Sequence, residues 1–371
     1  MGPDMLRSHP GRTTWRAAAL ALLLLGGPAA LPALAGPAPG QVVPEPTLRR
    51  VLLDWSFDPL VALPLLAVAV LYLRGLRRIR ERGQRWPAQR TACFLTGVAA
   101  VALALQSPVE AYDTALFSVH VAQHLLLTMA AAPLMVLGAP VTMLLMTVPP
   151  RARKRIVRVV HSLPVKIVGH PLIAWALFTL TLYALYFSPL FDLSLRNKLV
   201  HDVVHLHFLA VGLLFWWPVV GVDPTRWRIH HLARVLYVFL MVPFHAFLGV
   251  AIMSSGHLLA PSLAGFVRTW GPSPLADQQA GGAVMWGAGD IISLLSVIAI
   301  LAAWASYEEK VAAREDRRIA RERAARARTA QAPQAQGTRV QGTLAQPAQA
   351  QPAQVRPAQA GRDEETGGHL G

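Results

Sequence analysis

The chain has 371 residues, 54% of them hydrophobic and 15% charged, and a formal net charge of +15. Its mean hydropathy is +0.40. Such an apolar excess excludes an ordinary water-soluble domain. The cationic surplus, gathered in short loops between apolar runs, is a topological signal and not a nucleic-acid footprint.

At the N-terminus, Arg7, Arg12 and Arg16 precede the apolar run Ala17–Leu25 and the small-x-small sequence Ala33-Leu34-Ala35. This is the pattern of a cleavable secretory signal over residues 1–35, with an uncleaved anchor helix as the alternative. Residues 36–57 then form an extracytoplasmic segment. Seven apolar runs follow, centred on Pro59–Leu73, Thr91–Gln106, Leu116–Val148, Ile167–Phe187, Leu199–Val220, Leu232–Ser254 and Ala283–Trp304. A helix needs roughly 20 residues to cross the hydrocarbon core, so residues 58–305 predict an all-α polytopic membrane protein, a seven-transmembrane-helix bundle. The third run is long, and Pro133 and Pro140 are expected kink points. Residues 306–328 read as a charged cytoplasmic helix, with Glu322 and Arg326 spaced as an i,i+4 pair. Residues 329–371, rich in Ala, Gln, Pro and Gly, predict a disordered cytoplasmic tail.

Loop charge orients the bundle. Arg74, Arg77, Arg78, Arg80, Arg82, Arg85 and Arg90 follow the first run; Arg151, Arg153, Lys154, Arg155, Arg158 and Lys166 follow the third; Arg226, Arg228 and Arg234 follow the fifth. The alternate loops hold no Lys or Arg in Ser107–Ser118, then Arg196 and Lys198, then Arg268. The positive-inside rule therefore expects the N-terminus outside and the C-terminus inside the inner (plasma) membrane. The basic cytoplasmic loops also attract anionic lipids. Trp216, Trp217, Trp227 and Trp304 read as interfacial belt residues, and His161, His170, His230 and His231 as solvated cytoplasmic residues.

Two histidine pairs carry the chemistry. His120/His124 and His201/His205 each have i,i+4 spacing, which puts both rings of a pair on one helix face. The expected topology sets both pairs at the same depth near the extracytoplasmic surface. Intramembrane ionisable residues are costly and mark function by default, so four imidazoles facing one another read as a metal site. Gln123 and Asp202 are the neighbouring acceptors that could fix an imidazole tautomer. His245 and Asp290 fall at similar depth beneath and are expected to pair. Met253 and Met285 are weaker candidates as soft ligands. Cys93 is the only cysteine, which excludes an intrachain disulfide and a thiolate metal cage. Imidazole-only ligation suits copper, zinc, iron or nickel, while oxygen-ligand sites would need carboxylates that are scarce at this depth. Haem is the main competitor, as bis-histidine membrane cytochromes also use helix histidines. A metal or proton transporter using His245 and Asp290 is another alternative. HExxH, GxSxG and Walker-type motifs are absent, so hydrolysis is not expected.

Specific motifs accompany these pairs. Ser107-Pro108, then Phe117-Ser118-Val119-His120-Val121-Ala122-Gln123-His124-Leu125-Leu126-Leu127, Ala132-Pro133-Leu134 and Leu137-Gly138-Ala139-Pro140 closely resemble the seven-helix CtaG family of cytochrome c oxidase assembly factors. His170-Pro171, Phe215-Trp216-Trp217-Pro218 and Asp277-Gln278-Gln279-Ala280-Gly281-Gly282 support the likeness, which spans about Asp54 to Trp304. The resemblance implies a chaperone-like, non-enzymatic role in assembling a haem–copper oxidase of the respiratory chain, at the copper-insertion stage, with oxidase subunits as partners. It carries His120, Gln123 and His124 onto the family's signature, and His201 and His205 onto its histidines at the head of the fifth helix. The family commonly has Met after the first histidine; Val121 stands here. The expected mechanism is transient copper binding by His120, His124, His201 and His205 and transfer to an oxidase subunit.

Overall fold

The structure is a computed structural model that describes residues 40–343 apart from positions 54, 56, 226 and 228, with side chains to residue 328 except at position 52. The expected signal, residues 1–35, lies outside the described residues, as does the end of the tail, residues 344–371. Among the described residues the architecture is all-α, with one isolated parallel bridge between Val42 and Val267.

Six helices are long and apolar enough to cross a membrane: Pro59–Glu81, Ala88–Tyr112, Phe117–Thr147, Lys198–Val220, His231–Met253 and the helix beginning at Pro274. A seventh span results if Pro171–Tyr186 and Leu190–Arg196, which meet at 69°, count as one. The chain is a multi-pass plasma-membrane protein. The fourth span is shorter than the apolar run suggested. Pro171, which has no N–H to donate, opens the helix in its first turn, and Pro189 precedes the bent second piece.

The third span is irregular where its prolines stand. Phe117–Leu125 is α-helical, Leu126–Ala131 forms a π-helical turn, and Ala132–Leu137 is α-helical again. In the π turn the Ala132 N–H donates to the Leu127 carbonyl. The next donor in that register would be residue 133, a proline, so the Thr128 carbonyl loses its main-chain partner. The indole N–H of Trp216 donates to it instead, at 2.8 Å. Trp216 is therefore a buried core residue and not the belt residue expected, because its N–H finds a partner inside the bundle. A second break falls at Gly138-Ala139, with Ala139 in the left-handed region at φ 51°, ahead of Pro140.

Close packing sets the fifth span against this turn. A Cβ on Gly212 would lie 3.1 Å from Thr128 Cα and 3.1 Å from Ala132 Cβ, so any larger residue would have to push the two helices apart by a few tenths of an ångström. Gly212 is seven residues from His205, on the same helix face, and the contact brings that face alongside His124.

One end of the bundle is tied together by polar side chains. Asp58 caps the first span by accepting from Leu60 N–H at 2.9 Å, and its own N–H donates to Gln106 Oε1 at 2.9 Å. Asp277 Oδ2 accepts from Phe117 N–H and Oδ1 from the Ser118 hydroxyl, both at 2.6 Å. The orphan donors at the start of the third span are thus satisfied from another helix. Gln278 accepts from Leu259 N–H and donates to the His257 carbonyl. The Asp277-Gln278 pair therefore anchors the last helix to the head of the third span and to the preceding loop. The N-terminal segment joins the same end: Val43 N–H donates to Val267 O at 2.9 Å, and Trp270 Nε1 to Val43 O at 2.7 Å.

Residues from 305 onward form a separate unit that is helical to Thr343, beyond the expected end at Arg328. Its Ala, Arg and Gln content favours helix. Glu322 pairs back to Arg318 at 3.4 Å rather than forward to Arg326.

Candidate metal site at one end of the bundle

The two histidine pairs meet. Ring centroids of His120 and His124 are 4.2 Å apart, and those of His201 and His205 also 4.2 Å. Across the helix interface, His120 lies 5.7 Å from His201 and 6.4 Å from His205, and His124 lies 5.4 Å from His205. All four are buried. An aromatic wall closes the inner side. His124 stacks on Phe208 at 4.1 Å, Phe191 packs on His120 at 5.0 Å, and the Tyr186 hydroxyl lies 3.2 Å from His124 Nδ1. Tyr186 and Phe191 flank the bend of the fourth span, which is how that break serves the site.

Two carboxylates complete the cluster, and sequence reasoning missed both. Asp113 Oδ2 lies 2.7 Å from His201 Nε2 and 3.7 Å from His205 Nε2. Glu110 Oε2 lies 3.8 Å from His205 Nδ1. Both come from the short stretch after Pro108 that leads into the third span. Ligand atoms of Glu110, Asp113, His201 and His205 all lie within 4.8 Å of one another. The available signal was the pairing of two acids in Ser107–Ser118, a loop that holds no Lys or Arg. The expected scarcity of carboxylates at this depth is thereby corrected.

The neighbours expected to orient the imidazoles are arranged differently. Asp202 turns to Lys198, with contacts of 2.8 and 3.1 Å, because it lies about 100° around the helix from His201. Asp113 takes the place foreseen for it. Gln123 does not meet an imidazole. Its Nε2 donates to Glu110 Oε2 at 2.7 Å and to the Ala104 carbonyl at 2.9 Å, clamping Glu110 in position.

His245 and Asp290 do not pair. The His245 ring faces Gly289, where a Cβ would come within 2.9 Å of Nδ1, and Asp290 is one residue, about 100°, further round. Among the described residues, neither His245 nitrogen nor Asp290 Oδ1 has a hydrogen-bond partner. Met253 packs against Gly282, and Met285 sits in the main apolar core.

The remaining valences of the cluster define its chemistry. Among the described residues, His120 Nδ1 and Nε2, His124 Nε2, His201 Nδ1, His205 Nε2 and Asp113 Oδ1 are buried without a hydrogen-bond partner. Buried polar groups are normally paired, and leaving one unpaired costs about 1–3 kcal/mol. So many orphaned acceptors and donors, drawn from two helices and one connecting turn, fit a cation that would satisfy several at once. The donor set, imidazole nitrogen with carboxylate oxygen, suits a first-row divalent metal.

Fold and site together define a polytopic membrane protein with a buried histidine–carboxylate cluster at one end of its bundle. Residues 70–306 match the family described as cytochrome c oxidase caa3 assembly factor (Caa3_CtaG), and the chain belongs to that family. It is 37% identical over 287 residues to uncharacterised proteins of Mycobacterium bovis and Mycobacterium tuberculosis, covering 75% of this chain and 43% of each relative. An uncharacterised protein of Mycobacterium leprae is 35% identical over 287 residues, 75% of this chain and 44% of its own length. The chain thus spans less than half the length of these relatives. No solved structure matches it.

Proposed function

We propose that this chain helps assemble a haem–copper cytochrome c oxidase by holding copper transiently in the cluster and passing it to an oxidase subunit. Membership of the assembly-factor family supports the process. The observation that carries the ion is the grouping of His201 and His205 with Asp113 and Glu110, against which the rings of His120 and His124 pack, their unpaired nitrogens included. In this reading His120, His124, His201 and His205 are the nitrogen ligands, and Asp113 either joins them or holds His201. Copper is cargo, and the protein releases it unchanged, so it is a donor and not an enzyme. A cluster without thiolate binds copper less tenaciously than a cysteine cage, which suits a donor. The Lys/Arg pattern of the loops supports an extracytoplasmic position for the cluster, where it would meet oxidase subunits. The same pattern gives the basic loops anionic lipids as neighbours.

The geometry favours an ion over haem. A porphyrin needs an open slab between two axial imidazoles, whereas here the imidazoles pack on one another and on Phe208 at 4.1–4.2 Å. The transporter alternative loses its relay, since His245 and Asp290 are not joined.

The test is a cell-based one. With His120→Ala and His124→Ala combined, the protein is expected to insert normally while oxidase activity and oxidase copper fall together. Oxidase with full copper and activity in that strain would refute the proposed role.

A further inference from the structure

Exposure falls in steps through the cluster. The Lys198 side chain is 36% exposed and Asp202 29%, Glu110 is 18% exposed, and Asp113 is at 0%. His120 and His124 lie beyond, fully buried. The most exposed of these charged side chains is therefore Lys198, at the head of the fifth span.

Lys198 stands one turn before both His201 and Asp202 on that helix, at i, i+3 and i+4. The ammonium is held by two acids from different spans, Asp202 at 2.8 Å and Asp58 at 3.2 Å. Asp58 is itself fixed, capping the first span and bonded through its main chain to Gln106. The position between Asp58 and Asp202 is therefore a cation site filled by the chain's own ammonium, one turn from the ligand pair. A second cation approaching Glu110 meets that positive charge, screened in part because Lys198 is over a third exposed.

We propose that Lys198 is a tethered cation that controls access to the cluster, slowing the arrival of free metal cations without contributing a ligand. The inference rests on reading the cluster as a metal site. When the ammonium swings out, Asp58 and Asp202 are left as an attractive acidic mouth leading to Glu110. When it returns, it closes the mouth and offsets one of the two negative charges there. The device sets the rate of ion exchange and leaves the number of bound ions alone.

The experiment uses full-length protein in detergent, with Cu²⁺ or Zn²⁺ added as the simple salt. Uptake is followed by competition with a metallochromic indicator, and bound ion at equilibrium by elemental analysis. Lys198→Gln is expected to take up ion about tenfold faster than wild type, at the low end of electrostatic effects on association, and to lose part of that gain at high salt. Lys198→Arg, which keeps the charge, should match the wild-type rate, and all three should bind the same amount. Equal rates in wild type and Lys198→Gln overturn the proposal while leaving the metal site intact. Equal acceleration by Gln and Arg overturns it too, because packing and not charge would then be responsible. No ion bound by any of the three removes the metal reading itself, and the gate with it.

Discussion

Two buried histidine environments in this bundle look alike in sequence and differ in structure. His120, His124, His201 and His205 face one another across the third and fifth spans with Asp113 and Glu110 beside them. His245 is equally buried, but among the described residues no acid or second imidazole joins it, and it lies against Phe178, at 6.2 Å, and Gly289. Burial of a histidine is therefore not what makes a site. Several spans must turn their polar residues toward one point and supply compensating charge there. A cluster of that kind costs stability that an ion can return, whereas His245 carries the cost of its burial without neighbouring acids or imidazoles to share an ion with among the described residues.

That contrast can be broken or sharpened by substitution. The largest effect is expected at Asp113. Asp113→Asn removes the carboxylate 2.7 Å from His201 and should weaken ion binding on the order of 10- to 100-fold, the usual loss when a ligand's partner is removed, as read by titration against a chelator. At the contrasting site, Gly289→Ala forces a methyl against His245 and should destabilise the bundle by about 1–3 kcal/mol, as overpacking does. Its bound ion should be unchanged; loss of the ion with retained fold would erase the distinction between the two environments. Trp216→Phe leaves the Thr128 carbonyl without its donor and should lower stability by about 1–3 kcal/mol, seen as a reduced thermal midpoint in detergent. Asp277→Ala removes the cap at the head of the third span, with an expected loss of about 1 kcal/mol and a modest fall in ion affinity. The smallest effect is expected from Met285→Leu, a volume-conserving change in the apolar core that should leave ion content untouched.

Much of this was legible in the sequence, and the limits have physical causes. Helix existence and the i,i+4 histidine pairs are local properties of hydropathy and the 3.6-residue period, and both appear in the structure. Depth along a helix was also legible, since it follows from rise per residue; the two histidine pairs do meet at one level. Azimuth was not. His245 and Asp290 were matched in depth, yet the seventh helix presents Gly289 to His245. Likewise Asp202, adjacent to His201 in the chain, faces Lys198. The carboxylates that do reach the histidines come from a connecting turn, where the direction of a side chain depends on how Pro108 and the capping of the third span by Asp277 set the backbone. The π turn before Pro133 was foreseen only as a kink. Its role in receiving Trp216 required the fifth span to be seen in place.

The central claim is that the histidine–carboxylate cluster binds a copper ion, and elemental analysis of the purified full-length protein tests it most directly. Wild type exposed to copper and freed of excess should retain close to one ion per chain, and the combined His120→Ala and His124→Ala variant should retain almost none, with no Soret band in either. Equal copper in the two proteins, or none in wild type, would contradict the account and leave the four histidines as polar packing at the end of a scaffold.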